Sequence, residues 1–176
     1  KGLPNKNLMP FVGRPLFQNT YDILMSSKYN IDIYVSTDSE EIISICKENN
    51  LNFIRRPDNL SNDNSTTEDA ISHLLSNVEL SMYDTFILAQ CTSPLILSSD
   101  VNEVLSVFES KSKVIDSLFT CYEDHFPIWI NKENNLSRVN HLEQVRQPRQ
   151  KTNPLLIENG ALYVFKIKEY LKLKSR

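Results

Sequence analysis

The chain has 176 residues, 40% of them hydrophobic and 23% charged, a soluble globular composition that excludes a disordered, collagen-like or membrane-embedded chain. Its 19 basic and 22 acidic residues give a net charge of −3, which leaves no positive excess to neutralise a nucleic-acid backbone. No run approaches the roughly 18 consecutive apolar residues of a membrane span, and no signal-peptide pattern is visible. Cys46, Cys91 and Cys121 stand alone, against a disulfide framework or a zinc knuckle and in favour of a reducing cytoplasm.

The chain opens on the polar run Lys1-Gly2-Leu3-Pro4-Asn5-Lys6-Asn7, which points to a natural start that lies upstream. Ile31 to Thr37 then reads as a buried strand. Asp38 is expected to cap the helix that follows, with Glu41 completing a capping box and Ile42, Ile45 and Cys46 facing inward. Leu51 to Ile54 is a short strand leading into a polar loop, Arg55 to Ser65, whose length marks it as functional or disordered. Thr66 or Thr67 caps a helix with Ala70, Ile71, Leu74, Leu75 and Val78 on one face. Asp84 to Gln90 reads as a central strand and ends in the turn Cys91-Thr92-Ser93-Pro94. Ser99 and Asp100 open a helix with Val101, Val104, Leu105 and Phe108 inward. Val114 to Tyr122, Pro127 to Asn131 and Asn159 to Phe165 read as further strands, with a polar excursion from Asn131 to Pro154. Strands alternating with helices predict one α/β domain with a mainly parallel sheet.

Open α/β sheets bind ligands outside the carboxyl ends of their strands. Four polar clusters fall at such ends or in long loops: Lys1 to Asn7, Arg55 to Thr67, Gln90 to Pro94 and Gln144 to Gln150. Lysines and arginines suit phosphates or a carboxylate, while amides and hydroxyls suit a sugar or base. No Ser/His/Asp or Cys/His pairing suggests itself. Phosphoryl transfer fits, because it demands positioning and charge stabilisation more than a protein nucleophile.

At these same clusters the chain resembles the CMP-sialic acid synthetases and their relatives acting on other nonulosonic acids. The resemblance rests on KGLPNKNL (Lys1 to Leu8) with Gly13-Arg14-Pro15-Leu16, VSTDSEEI (Val35 to Ile42), RRPDNLSND (Arg55 to Asp63), AQCTSPL (Ala89 to Leu95), RQPRQ (Arg146 to Gln150) and ENGALYVF (Glu158 to Phe165). Six motifs in the family's order cover essentially the whole chain. It implies a three-layer Rossmann-like nucleotide-diphospho-sugar transferase fold and a cytoplasmic, homodimeric cytidylyltransferase. CTP and an acidic nine-carbon sugar would give CMP-sugar and pyrophosphate, with Mg²⁺ sharing the phosphate charge. Lys6 matches the catalytic lysine that stabilises charge developing on the phosphates, where an ammonium acts as a point charge. Lys1 and Asn7 flank it in the nucleotide loop. Arg56 matches the arginine that reaches the cytosine, and Ser65 and Thr67 match small residues of the nucleotide pocket. Gln90, Arg149, Asn159 and Tyr163 match sugar-contacting positions, Arg149 with a guanidinium fork suited to a carboxylate.

Departures from the pattern also carry expectations. Cys91 stands where bacterial members usually have proline. Trp129 and Ile157 occupy positions where some members present a lysine and an arginine, which leaves the sugar identity open. Trp129 itself reads equally as packing or as a sugar-stacking residue. The family's first strand and its C-terminal segment, whose aspartates hold the metal and help form the dimer, are not in these 176 residues. Residues 1 to 176 alone are therefore expected to be inactive or unstable, with metal ligands outside them. The rivals are a cytidylyltransferase for another acidic sugar such as a 3-deoxy-octulosonate, a nucleotidyltransferase with a different base, a GT-A glycosyltransferase, and a non-catalytic nucleotide-sugar-binding relative. A GT-A enzyme usually carries an Asp-x-Asp motif, which does not occur here. Elsewhere the plainer readings hold: Cys46 and Cys121 as core, His73 as a packed or rim residue, His125 and His141 as surface. Lys166, Lys168, Lys172, Lys174 and Arg176 read as a solvated basic helix face.

Overall fold

The computed structural model describes residues 3–140 and 148–175. A tight hairpin, β1 (Pro10–Phe11) with β2 (Arg14–Pro15), turns at Val12 and Gly13, whose φ values are 51° and 79°. This is the two-residue left-handed turn that glycine enters freely and a β-branched valine does not. Pro15 leads into α1 (Leu16–Met25), which buries Phe17, Thr20 and Leu24.

β3 (Val35–Thr37) pairs in parallel with β4 (Phe53–Arg55), Thr37 lying opposite Arg55, with α2 (Glu40–Glu48) as the crossover. The strand expected from Ile31 is thus shorter than its apolar run. β4 offers three partners, and among the described residues no strand pairs with the other edge of β3. The cap of α2 is Ser39, whose hydroxyl accepts from the Ile42 amide at 3.3 Å. Asp38, expected there, is instead drawn to Arg56, a charged partner one residue beyond β4.

α3 (Thr67–Ser76) begins at Thr66 with a full capping box. The Thr66 hydroxyl accepts from the Asp69 amide at 3.1 Å, and the Asp69 carboxylate accepts from the Thr66 amide at 2.8 Å. β5 (Thr85–Ala89) leads towards α4 (Ser98–Lys111), where Asp100 sits in the first turn and accepts from the Leu97 amide at 2.8 Å. Asp100 therefore closes the helix start from inside rather than opening it. β6 (Ser117–Asp124) follows, and β9 (Leu155–Lys166) inserts between β5 and β6. The α/β layering is as expected, and parallel register joins β3 to β4. β5, however, runs antiparallel to β9.

The chain divides into two compact units, Lys1–Phe119 with Gly160–Arg176, and Thr120–Asn159. In the first unit Val101, Val104 and Phe108 of α4 pack with Leu162 and Val164 of β9. Ile71 and Leu75 of α3 pack with Phe165, Ile167 and Tyr170, and Phe17 packs with Ile42 and Cys46. Each such side chain stabilises the fold by about 1.5–3 kcal/mol when fully buried. Phe86, Phe165 and Tyr170 form a column of stacked rings with both centroid spacings at 5.0 Å. α5 (Ile167–Leu173) closes the unit; its Lys168 and Lys172, with Lys174 just beyond it, face solvent as expected, whereas Lys166 ends β9 and pairs with Asp116 at 2.8 Å.

In the second unit β7 (Trp129–Lys132) and β8 (Asn135–Arg138) form a hairpin around Glu133 and Asn134, both with positive φ. The strand expected at Pro127 to Asn131 therefore lies slightly later, and the polar excursion contains its partner. Asn140 braces the hairpin base, accepting from the Ile128 amide at 2.7 Å and donating to the Phe126 carbonyl at 3.0 Å. Cys121 corrects another expectation: it is exposed, not core, because it falls on the outward face of β6.

Candidate functional site

The first unit holds a cavity of about 970 Å³, at the large end of the range for small-molecule sites. Lys6, Asn7, Arg56, Ser65, Thr67 and Gln90 all line it, although they come from four separate stretches of sequence. The fold explains the convergence. Arg56 and Gln90 each sit one residue beyond the carboxyl end of a strand, β4 and β5 respectively. Ser65 and Thr67 flank the capped start of α3. Lys6 and Asn7 lie in a short helical turn, Lys6–Leu8, entered through Asn5 at φ 53°.

Arg56 is tightly held, with its side chain only 20% exposed. Its Nη2 donates to Asp38 Oδ1 at 2.9 Å, and its Nε donates to Ser61 Oγ at 3.1 Å. Its Nη1 donates to the Ser36 carbonyl and hydroxyl at 3.4 and 3.3 Å. Ser61 is itself fixed by donating to the Pro57 carbonyl at 3.0 Å. Neighbouring Arg55 pairs with Glu40, with Nη2 to Oε2 at 2.6 Å, on the exposed surface, where such a pair contributes little.

Lys6 makes no ion pair among the described residues, so its charge remains available. Asn7 Oδ1 is buried and makes no hydrogen bond among the described residues, an arrangement that costs about 1–3 kcal/mol unless a donor is supplied. Ser65 Oγ accepts from the Asn62 amide at 3.1 Å and fixes the loop before α3. Thr37 Oγ1 does the same for the turn after β3, accepting from Ser39 at 3.1 Å. Gln90 is anchored through its backbone amide to the Ala161 carbonyl at 3.0 Å. Gly160, at φ 70°, passes beside the Gln90 side chain.

Two titratable groups on the cavity wall are held neutral. Burial pushes the Cys91 thiol up, which removes the thiolate a nucleophile would need. Tyr83 donates to Asp32 Oδ2 at 2.6 Å, and that bond pushes its phenol up to about 12. Neither residue is equipped for covalent chemistry at neutral pH.

The remaining expected residues are placed elsewhere. Tyr163 is 6% exposed on β9, opposite Leu88 and near the Phe119 ring, and does not line the cavity. Arg149, Asn159 and Trp129 belong to the second unit. Arg149 begins a single helical turn and is exposed. Asn159 Oδ1 accepts from Thr120 Oγ1 at 2.6 Å. Trp129 is 52% exposed, with the Arg138 guanidinium 5.1 Å from its ring centroid. Lys1 and Arg146 lie outside the described residues. Sequence reasoning missed Ser36 and Ser61 and misassigned Asp38. The available signal was the polar Ser-Thr-Asp run at the carboxyl end of β3.

A cytidylyltransferase family profile matches residues 1–172. This chain belongs to the cytidylyltransferase family. It is 33% identical over 182 aligned positions to the N-acylneuraminate cytidylyltransferase of Streptococcus agalactiae serotype III (strain NEM316), an alignment covering 99% of this chain and 43% of that protein. The chain thus spans less than half the length of this curated relative. It is 25% identical, over 69% of its length and 23% of the relative's, to a Helicobacter pylori protein named pseudaminic acid cytidylyltransferase and UDP-2,4-diacetamido-2,4,6-trideoxy-beta-L-altropyranose hydrolase. The solved structure of CMP:2-keto-3-deoxy-manno-octonic acid synthetase complexed with CTP shares the fold of this family member. Its TM-score is 0.72 at 18% identity, covering 99% of this chain and 73% of that one. No helix among the described residues is long and apolar enough to cross a membrane.

Proposed function

We infer that this cytidylyltransferase activates an acidic nine-carbon sugar, sialic acid or a related nonulosonic acid, with CTP. The observation that carries the reading is the single cavity on which Lys6, Asn7, Arg56, Ser65, Thr67 and Gln90 converge. The anomeric hydroxyl oxygen attacks the α-phosphorus of CTP, the bond to pyrophosphate breaks, and the hydroxyl proton is released. Lys6 places an uncompensated ammonium beside the phosphates. Asn7 Oδ1 accepts from the nucleoside, Arg56 meets the base, and Gln90 meets the sugar. Arg149, Asn159, Trp129 and Tyr163 remain part of the proposal as sugar-side residues, and Lys1 as a nucleotide-loop residue. Mg²⁺ is proposed as the ion that shares the phosphate charge when the triphosphate binds. Among the described residues no group of three or more His, Cys, Asp or Glu side chains is placed to hold it, and the roles of Lys6, Asn7, Arg56 and Gln90 do not depend on it. A cytoplasmic location and a homodimer complete the proposal. The apolar side chains exposed on the second unit, Phe126, Leu136 and Leu156 among them, support the dimer.

The test is pyrophosphate release with CTP, UTP and GTP against a panel of acidic sugars. CTP with a nonulosonic acid is the expected pair, and a preference for a 3-deoxy-octulosonate would select the alternative sugar. Activity confined to a neutral sugar phosphate, or nucleotide binding with no turnover, would overturn the reading. Lys6→Ala is expected to lower kcat by about 10²-fold or more, whereas Arg149→Ala raises the sugar KM. Unchanged kinetics in both would remove these roles.

A further inference from the structure

Asp38 and Arg56 are adjacent because of strand register. Thr37 and Arg55 are parallel partners, and the Arg56 amide extends the ladder by donating to the Thr37 carbonyl at 2.8 Å. The residue after each strand end is therefore a carboxylate beside a guanidinium, and Arg56 itself lines the cavity. A guanidinium has five N–H donors in a rigid plane. Here all three nitrogens are tied, Nε to Ser61, Nη1 to Ser36 and Nη2 to Asp38, which fixes that plane and leaves few N–H directions for a ligand. The Asp38 charge offsets that of Arg56 at 2.9 Å. Lys6, on the same cavity, has no such offset among the described residues. One cationic side chain is thus compensated and oriented, and the other is free to follow charge.

We propose that Asp38 is a positioning residue for Arg56: it neutralises the guanidinium and locks its plane, so that Arg56 serves the pyrimidine as an oriented N–H donor. The role rests on the reading that a cytidine nucleotide occupies this cavity. A compensated arginine gains little from a triphosphate but loses nothing towards a neutral acceptor. Cytosine and uracil both accept at O2, but N3 is an acceptor in cytosine and carries a hydrogen in uracil, so a donor held towards N3 separates the two bases and a loose one does not. Ser36 and Ser61 support the same plane from its other nitrogens.

The experiment measures the Kd of CTP and of UTP by calorimetry for wild type, Asp38→Asn and Asp38→Glu, with the melting temperature of each. Asp38→Asn is expected to weaken CTP about tenfold, the scale of one lost charge-assisted hydrogen bond, while UTP stays within about twofold. Asp38→Glu, which keeps the charge, is expected to recover part of the preference. Ser61→Ala, which frees Nε alone, should move the ratio in the same direction. If Asp38→Asn weakens both nucleotides alike in step with a lower melting temperature, Asp38 is only a structural pair and the proposal fails. A wild-type preference for CTP that survives Asp38→Asn also overturns it, and leaves the cytidylyltransferase reading standing. A wild-type protein that holds CTP no better than UTP overturns both.

Discussion

Tyr170 offers the sharpest test of how the first unit holds α3 in place. Its ring is 1% exposed and forms the end of the Phe86, Phe165 and Tyr170 column. Its hydroxyl donates to the Glu68 carbonyl at 2.9 Å and lies 3.1 Å from Ser72 Oγ, both on α3. Tyr170→Phe removes only the hydroxyl, and at about 1 kcal/mol per hydrogen bond should cost about 1–2 kcal/mol. Tyr170→Ala also removes the ring. Truncating a buried aromatic to alanine costs about 3–5 kcal/mol, and losing the stack adds about 1 kcal/mol. The total approaches the lower end of the 5–15 kcal/mol range of whole-domain stability. For a chain of this size about 2–4 °C of melting temperature follows each kcal/mol. The expected losses are therefore about 2–8 °C for the phenylalanine variant and about 8–24 °C for the alanine variant, read by circular dichroism and urea titration. Equal losses, or an alanine variant costing under about 2 kcal/mol on that scale, would refute the packing argument.

Two further outcomes are expected. Thr66→Ala should cost about 1 kcal/mol through loss of the helix cap, measured by urea unfolding. The Thr66 backbone amide, then its hydroxyl, holds the Asp69 carboxyl below its ordinary value. The capping box therefore stabilises the fold fully above about pH 4 and loses effect as pH falls through the lowered folded value. The gap between wild type and Thr66→Ala should narrow in acid, and a gap indifferent to pH would discard the reciprocal box. Val12→Asn should raise stability by about 1 kcal/mol by relieving a β-branched residue at φ 51°. Val12 is 83% exposed, so little packing is lost. A thermal melt that drops instead would contradict the turn assignment.

The elements that could be read in the sequence were those whose local chemistry and tertiary role agree. α3 is the clearest, because Thr66 and Asp69 satisfy each other within four residues and Ile71 and Leu75 then fall on the buried face. Asp38 misled because two capping residues stand side by side. The choice of Ser39 was made by Arg56, eighteen residues away, and no local rule contains that partner. Cys121 misled because β6 alternates between faces, and its neighbours gave no sign of which face was inward. The β7 and β8 hairpin was hidden by its turn, where Glu133 and Asn134 adopt positive φ without a glycine. For the site, strand ends marked the right neighbourhood, since Arg56 and Gln90 each follow a strand. Tyr163 was read from its motif, and the pairing of β9 with β5 sets it opposite Leu88.

The single tryptophan of the chain, Trp129, lies in the second unit, half-exposed and under a guanidinium. All five α-helices among the described residues belong to the first unit. Two optical signals are therefore separated by architecture. Indole emission reads the hairpin region alone, and far-ultraviolet α-helical ellipticity reads the first unit alone. Following both through one denaturation compares the cooperativity of the units without any label, since coincident curves mark a single transition and separated curves mark two.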